Sequence, residues 1–238
     1  MSLSGRRDVG MEISNFLKFI TEHFWHAFPT LIAAAVAVAI MLERFKTLYL
    51  TYTMNNEELF FDQIRELVIN GDVNEAIGLC DRNAEKPVAQ VMKKGLIRAH
   101  QPESLIENGL EIAVEQNIQR VLKRTNFLAM IANVATLLGL LGTIMGLVTS
   151  FGAQGADNSQ QKTALLAQGI STAMNATILG LLVAVPCMVM FSILMNKSQT
   201  LVSSVETAAI RVMDFLKQRH FLEATKAGPG NRKGGKAA

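Results

Sequence analysis

The chain has 238 residues, half of them hydrophobic, and a formal net charge of only +3. A soluble domain of this size needs a polar shell, but here the polar residues sit in blocks between long apolar runs. That argues against a soluble enzyme. The net charge is small, and the basic residues at the tail read as a topology signal rather than as a nucleic-acid site.

Residues 12–26 place Ile13, Phe16, Leu17, Ile20 and Phe24 at helical spacing. This fits an amphipathic helix on a membrane surface, or equally the first turns of a long first helix. The apolar run 27–42 follows, with Phe24, Trp25 and His26 at one end and Glu43, Arg44 and Phe45 at the other. Aromatic residues and charges at opposite ends suit a span anchored at both interfaces. Nothing after it resembles a cleavage site, so a retained span at 27–43 is expected rather than a signal peptide.

Residues 44–126 are charged but periodic. Leu59, Phe60, Ile64, Leu67 and Val68 form one apolar stripe. Asn70-Gly71-Asp72 stops that helix and starts another, with Ala76, Ile77, Leu79 and Cys80 apolar. Pro87 and Pro102 open two more helices. Beyond Pro102 no breaker occurs, and one helix is expected to run through Leu105, Leu110, Val114, Ile118, Val121 and Leu122 into the next apolar run, ending near Phe151.

The runs 127–151 and 170–195 contain no charge. Each exceeds the roughly 20 residues that cross a bilayer core of about 30 Å. Spans are assigned to 127–151 and 169–196, joined by a short loop at 152–168. A helix is expected over 197–224, followed by a disordered basic tail at 225–238 marked by Gly228-Pro229-Gly230 and Gly234-Gly235. Lysine and arginine abound in the first inter-span segment and the tail, whereas the second link has only Lys162. Positive residues favour the cytoplasm. The N-terminus is therefore placed outside, and the 44–126 domain and C-terminus inside. The expected fold is all-α and membrane-integral, with three spans and long cytoplasmic helical extensions.

Within the spans the polar residues are informative, because a bilayer leaves no polar group to water. Asn133, Thr136 and Thr143 lie along one side of span two. Gly139, Gly142 and Gly146 form a neighbouring stripe, where small residues let helices approach closely. In span three Thr177 shares a face with Gly180, while Thr172 and Asn175 lie on an adjacent one. Pro186 removes a backbone donor and can kink the helix. Threonines in membrane helices often bond their own backbone carbonyls. The alternative is that the two helices line a narrow polar passage or receive another helix. Cys80 and Cys187 are the only cysteines. One is placed in the cytoplasm and one in a span, so no disulfide is expected. Neither they nor the four histidines show metal-ligand spacing. No phosphate loop or nucleophile–base pair is visible, and no enzyme activity, cofactor or metal is expected.

Several motifs carry a family resemblance: LLGLLGTIMG at 137–146 with Ser150-Phe151, GISTAMNATILGLLVAVP at 169–186, Gly71-Asp72 with Ala76 and Leu79-Cys80, and Glu43-Arg44. Over about 28–221 the chain resembles the ExbB/TolQ/MotA family of ion-driven motor subunits, and the three-span ExbB/TolQ branch most closely. The resemblance implies a bacterial inner-membrane homopentamer around a pore lined by spans two and three. Inside the pore it implies the membrane helices of an ExbD/TolR-like single-span partner, a dimer, each with an aspartate. Thr143 and Thr177 match the family's pore threonines. Two positions depart from the pattern. Thr172 stands where the branch has a glutamate, and Thr136 where span two usually has a proline. The transported ion is expected to be a proton carried on the partner's carboxylate. Sodium is the alternative, since threonine hydroxyls supply the oxygen ligands hard cations prefer. The load is a further envelope or outer-membrane protein, in transport, envelope integrity or gliding motility. A sodium-driven stator or a non-conducting scaffold are the competing readings.

Overall fold

The computed structural model describes residues 24–54, 56–152 and 159–226, and all of its regular elements there are helical. They are α1 (Phe24–Lys46), a π-helical turn (Thr47–Thr51), α2 (Glu57–Asn70), α3 (Val73–Arg82), α4 (Pro87–Ile97), α5 (Glu103–Leu122), α6 (Thr125–Gly152) and α7 (Ser159–Lys226). Candidate membrane spans fall within Ala27–Thr51, Glu103–Gly152 and Gln160–Glu223. The chain divides into two compact units, one from residues up to Arg44 with Arg124–Leu194, the other from Phe45–Lys123 with the residues from Met195 on.

The first unit is the apolar one. Between 17% and 33% of the residues in the most apolar window of each candidate span are buried. Most of that hydrocarbon surface is therefore open in a single copy, including Leu137, Val148, Met174 and Leu182, each more than 60% exposed. An apolar surface of this extent needs lipid or neighbouring helices to cover it.

The second unit has an ordinary packed core. Phe60, Phe61, Ile64 and Val68 of α2 meet Ala76 and Cys80 of α3, Val91, Met92 and Leu96 of α4, Leu110 of α5 and Val212 and Leu216 of α7. The stripe on α2 has Phe60, Ile64 and Val68 buried as expected, but Phe61 is buried in place of Leu59, which is exposed. On α5 Ile106 is likewise buried while Leu105 is exposed. Burial pushes the Cys80 thiol up to about 12, so it stays protonated. Arg211 holds α7 to α2 through both oxygens of Glu58, at 2.7 and 2.8 Å, with its guanidinium over the Phe61 ring. The hydrogen bonds from Arg211 hold the Glu58 carboxyl below its ordinary range.

Local chemistry sets most helix ends. Gly71 takes φ +94°, and the N–H groups of Gly71 and Asp72 donate to the carbonyls of Val68 and Leu67, which closes α2 in a Schellman motif. Pro87 occupies the first turn of α4, where its missing N–H costs nothing. The carbonyl of Pro102 accepts from Leu105 and Ile106 at the start of α5. Helix α7 runs through Pro186 without interruption for 68 residues.

One expectation fails. No continuous helix runs from Pro102 to Phe151. It breaks at Lys123, which is extended, and Arg124, which has φ +63°. An L-residue in this left-handed region costs about 1–2 kcal/mol, so the break needs a tertiary cause. The Arg124 side chain is ion-paired to Glu43 of α1. Element lengths also differ from those expected. Phe24–His26 begin α1 and the helix continues to Lys46. Helix α7 starts at Ser159, inside the loop assigned to 152–168, and ends at Lys226. Residues 12–23 of the amphipathic helix expected over 12–26, and 227–238 of the tail expected over 225–238, lie outside the described residues.

Candidate functional site

The site of interest is the α6–α7 pair in the first unit. The two helices run antiparallel with their backbones nearly touching. A Cβ on Gly139 would lie 3.2 Å from the Gly180 Cα and 3.5 Å from the Thr177 Cα. One on Gly142 would strike the Ala176 Cβ, and one on Gly146 would lie 2.9 Å from the backbone of Ala173. One on Gly180 would lie 2.8 Å from the Ala135 carbonyl oxygen. The glycine stripe is therefore the contact surface, and only residues without a side chain permit this spacing. Pro186 lies on the exposed surface of α7.

At about 100° per residue, α6 has three sides. One is the buried stripe with Ala135, Gly139, Gly142 and Gly146. A second carries Asn133, Thr136 and Thr143, with Leu140 and Leu147 between and beyond them. The third, with Met130, Leu137, Leu141, Ile144 and Val148, is wholly apolar and exposed. Because α7 runs antiparallel, helix geometry puts Thr177 on the same side of the pair as the polar stripe of α6. Thr172 and Asn175 fall on the opposite flank of α7's buried stripe. Within one copy, then, Asn133, Thr136, Thr143 and Thr177 share a side, and Thr172 and Asn175 do not join them.

The hydroxyls differ in their partners. Thr136 donates to the Ala132 carbonyl at 3.0 Å, Thr143 to Leu140 at 2.6 Å and Thr172 to Gln168 at 2.9 Å. Thr149 and Ser150 both donate to the Gly146 carbonyl at 2.8 Å. Among the described residues Asn133, Asn175 and Thr177 make no side-chain hydrogen bond. A polar group left without a partner in hydrocarbon costs several kcal/mol. In a bilayer these three side chains would be open to water, an ion or another chain, and Thr177 also to its own helix carbonyls. The charge-free stretches of α6 and α7 supply oxygen dipoles but no carboxylate, imidazole or amine.

Other cavities offer less chemistry. A groove of about 640 Å³ in the second unit has an apolar floor, with Leu110, Val114 and Met213, and a rim that includes Glu107, Glu111, Glu206 and Asp214. A cleft that includes Gly71, Glu75 and Glu223 holds both His100 and His220. Among the described residues no three His, Cys, Asp or Glu side chains converge as a metal site.

Comparison with known proteins adds three findings. Residues 83–207 match the model of the MotA/TolQ/ExbB proton channel family. The chain is 30% identical over 161 residues to biopolymer transport protein ExbB-like 3 of a Synechocystis strain, covering 67% of this chain and 75% of that one. It is 37% identical over 81 residues to ExbB-like 2 of Helicobacter pylori, covering 34% of this chain. That match spans about half, 53%, of the Helicobacter protein's length. The structure of C. jejuni MotAB superposes with a TM-score of 0.57 at 17% identity, covering 100% of this chain and 99% of that one, a likeness of fold.

Proposed function

Since the chain belongs to the MotA/TolQ/ExbB proton channel family, we propose that it is an ExbB/TolQ-like subunit of a motor driven by the proton-motive force across a bacterial inner membrane. In this reading several copies, five by family resemblance, form a ring whose polar α6–α7 sides face a central pathway. An ExbD/TolR-like partner places single membrane helices there, and the assembly passes energy to an envelope load. The N-terminus lies outside and the C-terminus in the cytoplasm, in line with the distribution of lysine and arginine.

The observation that carries this reading is the side of the helix pair shared by Thr143 and Thr177, where Thr177 has no carbonyl partner. A glycine-welded pair holds this side rigidly, while the opposite side of α6 is plain hydrocarbon. Moving one charge through 100 mV releases ~2.3 kcal/mol. That is about the least cost assigned to a charged side chain at the bilayer centre. Ion passage therefore needs polar groups or a carrier that can be neutralised. This chain's pore residues are neutral dipoles, so the partner's carboxylate supplies the proton-binding group and Thr143 and Thr177 ease its passage. Leu140 and Leu147 on the same side limit leakage of water.

Thr172 motivates the sodium alternative, because a hydroxyl stands where the branch has a glutamate. The experiment is flux through the complex with its co-purified single-span partner in liposomes, at fixed potential and without sodium. Full proton flux is the expected result. A strict sodium requirement would overturn proton coupling, and no flux of either ion would favour a scaffold.

A further inference from the structure

The chain passes from α5 to α6 through Lys123 and Arg124, and Arg124 is the one non-glycine residue with positive φ among the described residues. Sequence gives no reason for a break there: neither residue is glycine or proline, and both favour helix. Unlike Asn or Asp, arginine has no short polar side chain to bond its own backbone in the left-handed region. Something distant must hold it.

The guanidinium Nη1 of Arg124 donates to both carboxylate oxygens of Glu43, at 2.7 and 2.8 Å. Glu43 lies in the last turn of α1, 81 positions away. Both side chains are about half exposed, at 49% and 46%, so the pair would count for little as a surface bridge in water. Its position gives it more weight, because it acts on a backbone that would otherwise return to helix. The next residue, Thr125, is fully buried with its hydroxyl unpartnered. The first turn of α6 is thus packed in place directly beside the strained residue.

We propose that Glu43 and Arg124 are positioning residues, a clamp between α1 and the root of α6 that fixes where the polar stripe of α6 stands. The inference rests on the ion-pathway reading above. The lever is long. At ~1.5 Å per residue, Thr143 lies about 28 Å along α6 from Arg124, so a tilt of ~10° at the root moves its hydroxyl by ~5 Å. That exceeds any hydrogen-bond length.

The test uses the full chain with its co-purified partner and four variants. Glu43→Gln removes the charge and keeps the shape. Arg124→Gly removes the pair but tolerates positive φ, so it spares the fold. The double variant Glu43→Arg with Arg124→Glu restores the pair with its charges exchanged. Two readouts are taken, melting temperature in detergent and ion flux in liposomes. Each single variant should assemble normally and lose more than tenfold of the maximal flux. The ion concentration for half-maximal flux should stay unchanged, and the exchanged pair should recover flux to within about threefold. Glu43→Gln combined with Arg124→Gly closes the melting cycle, and its shift should be smaller than the sum of the two single shifts. Additive melting shifts, or single variants with full flux, would overturn the clamp. If the wild type carries no flux while the melting cycle still shows coupling, the ion-pathway reading fails, and with it the positioning role; the Glu43–Arg124 coupling itself stands.

Discussion

Gly180→Val is expected to break the α6–α7 pair and with it the assembled complex. A Cβ at Gly180 would lie 2.8 Å from both the Ala135 carbonyl oxygen and the Gly139 Cα. Those are backbone atoms of the facing helix and cannot rotate away as a side-chain tip would. The helices must separate, and the branched side chain forces them further apart. Overpacking of this kind costs about 1–3 kcal/mol and sometimes more. Here it also uncouples the neighbouring contacts at Gly139, Gly142 and Gly146, so the effect should lie at the upper end. Gly78→Ala is the control, since its Cβ would meet nothing within 4 Å. In a helix interior that change should be neutral or stabilising by up to ~1 kcal/mol. Thermal melting and native mass spectrometry in mild detergent check both variants. A Gly180→Val protein that melts and assembles like the wild type would show that the close approach of the helices is not required.

Thr177→Val should abolish most of the ion flux while leaving assembly intact, and Thr143→Val should do less. Valine keeps the shape of threonine and removes the hydroxyl. At Thr143 the hydroxyl already donates to the Leu140 carbonyl at 2.6 Å, so only its oxygen lone pairs remain available. At Thr177 no protein group among the described residues engages the hydroxyl, and both its donor and acceptor capacity are available. A tenfold loss at Thr177 corresponds to about 1.4 kcal/mol of lost stabilisation at the rate-limiting point, a modest demand on one hydroxyl. Flux through the reconstituted complex decides the matter. If both valine variants conduct at full rate, the hydroxyls serve only their own helices.

The pattern of apolar runs made the three spans readable, because the bilayer fixes how long such a run must be. Gly71, Pro87 and Pro102 marked helix ends for reasons that lie within a few residues of each. The close-packing stripe of Gly139, Gly142 and Gly146 was equally plain. Three features were not legible. The break at Lys123 and Arg124 has no glycine or proline to mark it, and the Glu43 partner of Arg124 lies 81 positions away. The exchange of Leu59 for Phe61 in the core of the second unit turns on the direction from which α3 and α4 approach. Which of the two polar faces of α7 joins the stripe of α6 required the antiparallel partner, since a helical wheel has no outside until something packs on one side.

The claim that matters most is that the Thr143–Thr177 side of the helix pair meets water and the apolar side of α6 does not. Single cysteines at 143, 177, 141 and 148, in the full complex in native membranes, can be tested with a charged, membrane-impermeant thiosulfonate. The two native cysteines are both buried and give a low background. Thr143→Cys and Thr177→Cys should be modified readily, and modification should block flux. Leu141→Cys and Val148→Cys should stay unmodified in lipid. Equal modification of all four positions, or protection of 143 and 177 with labelling of 141 and 148, would contradict the account.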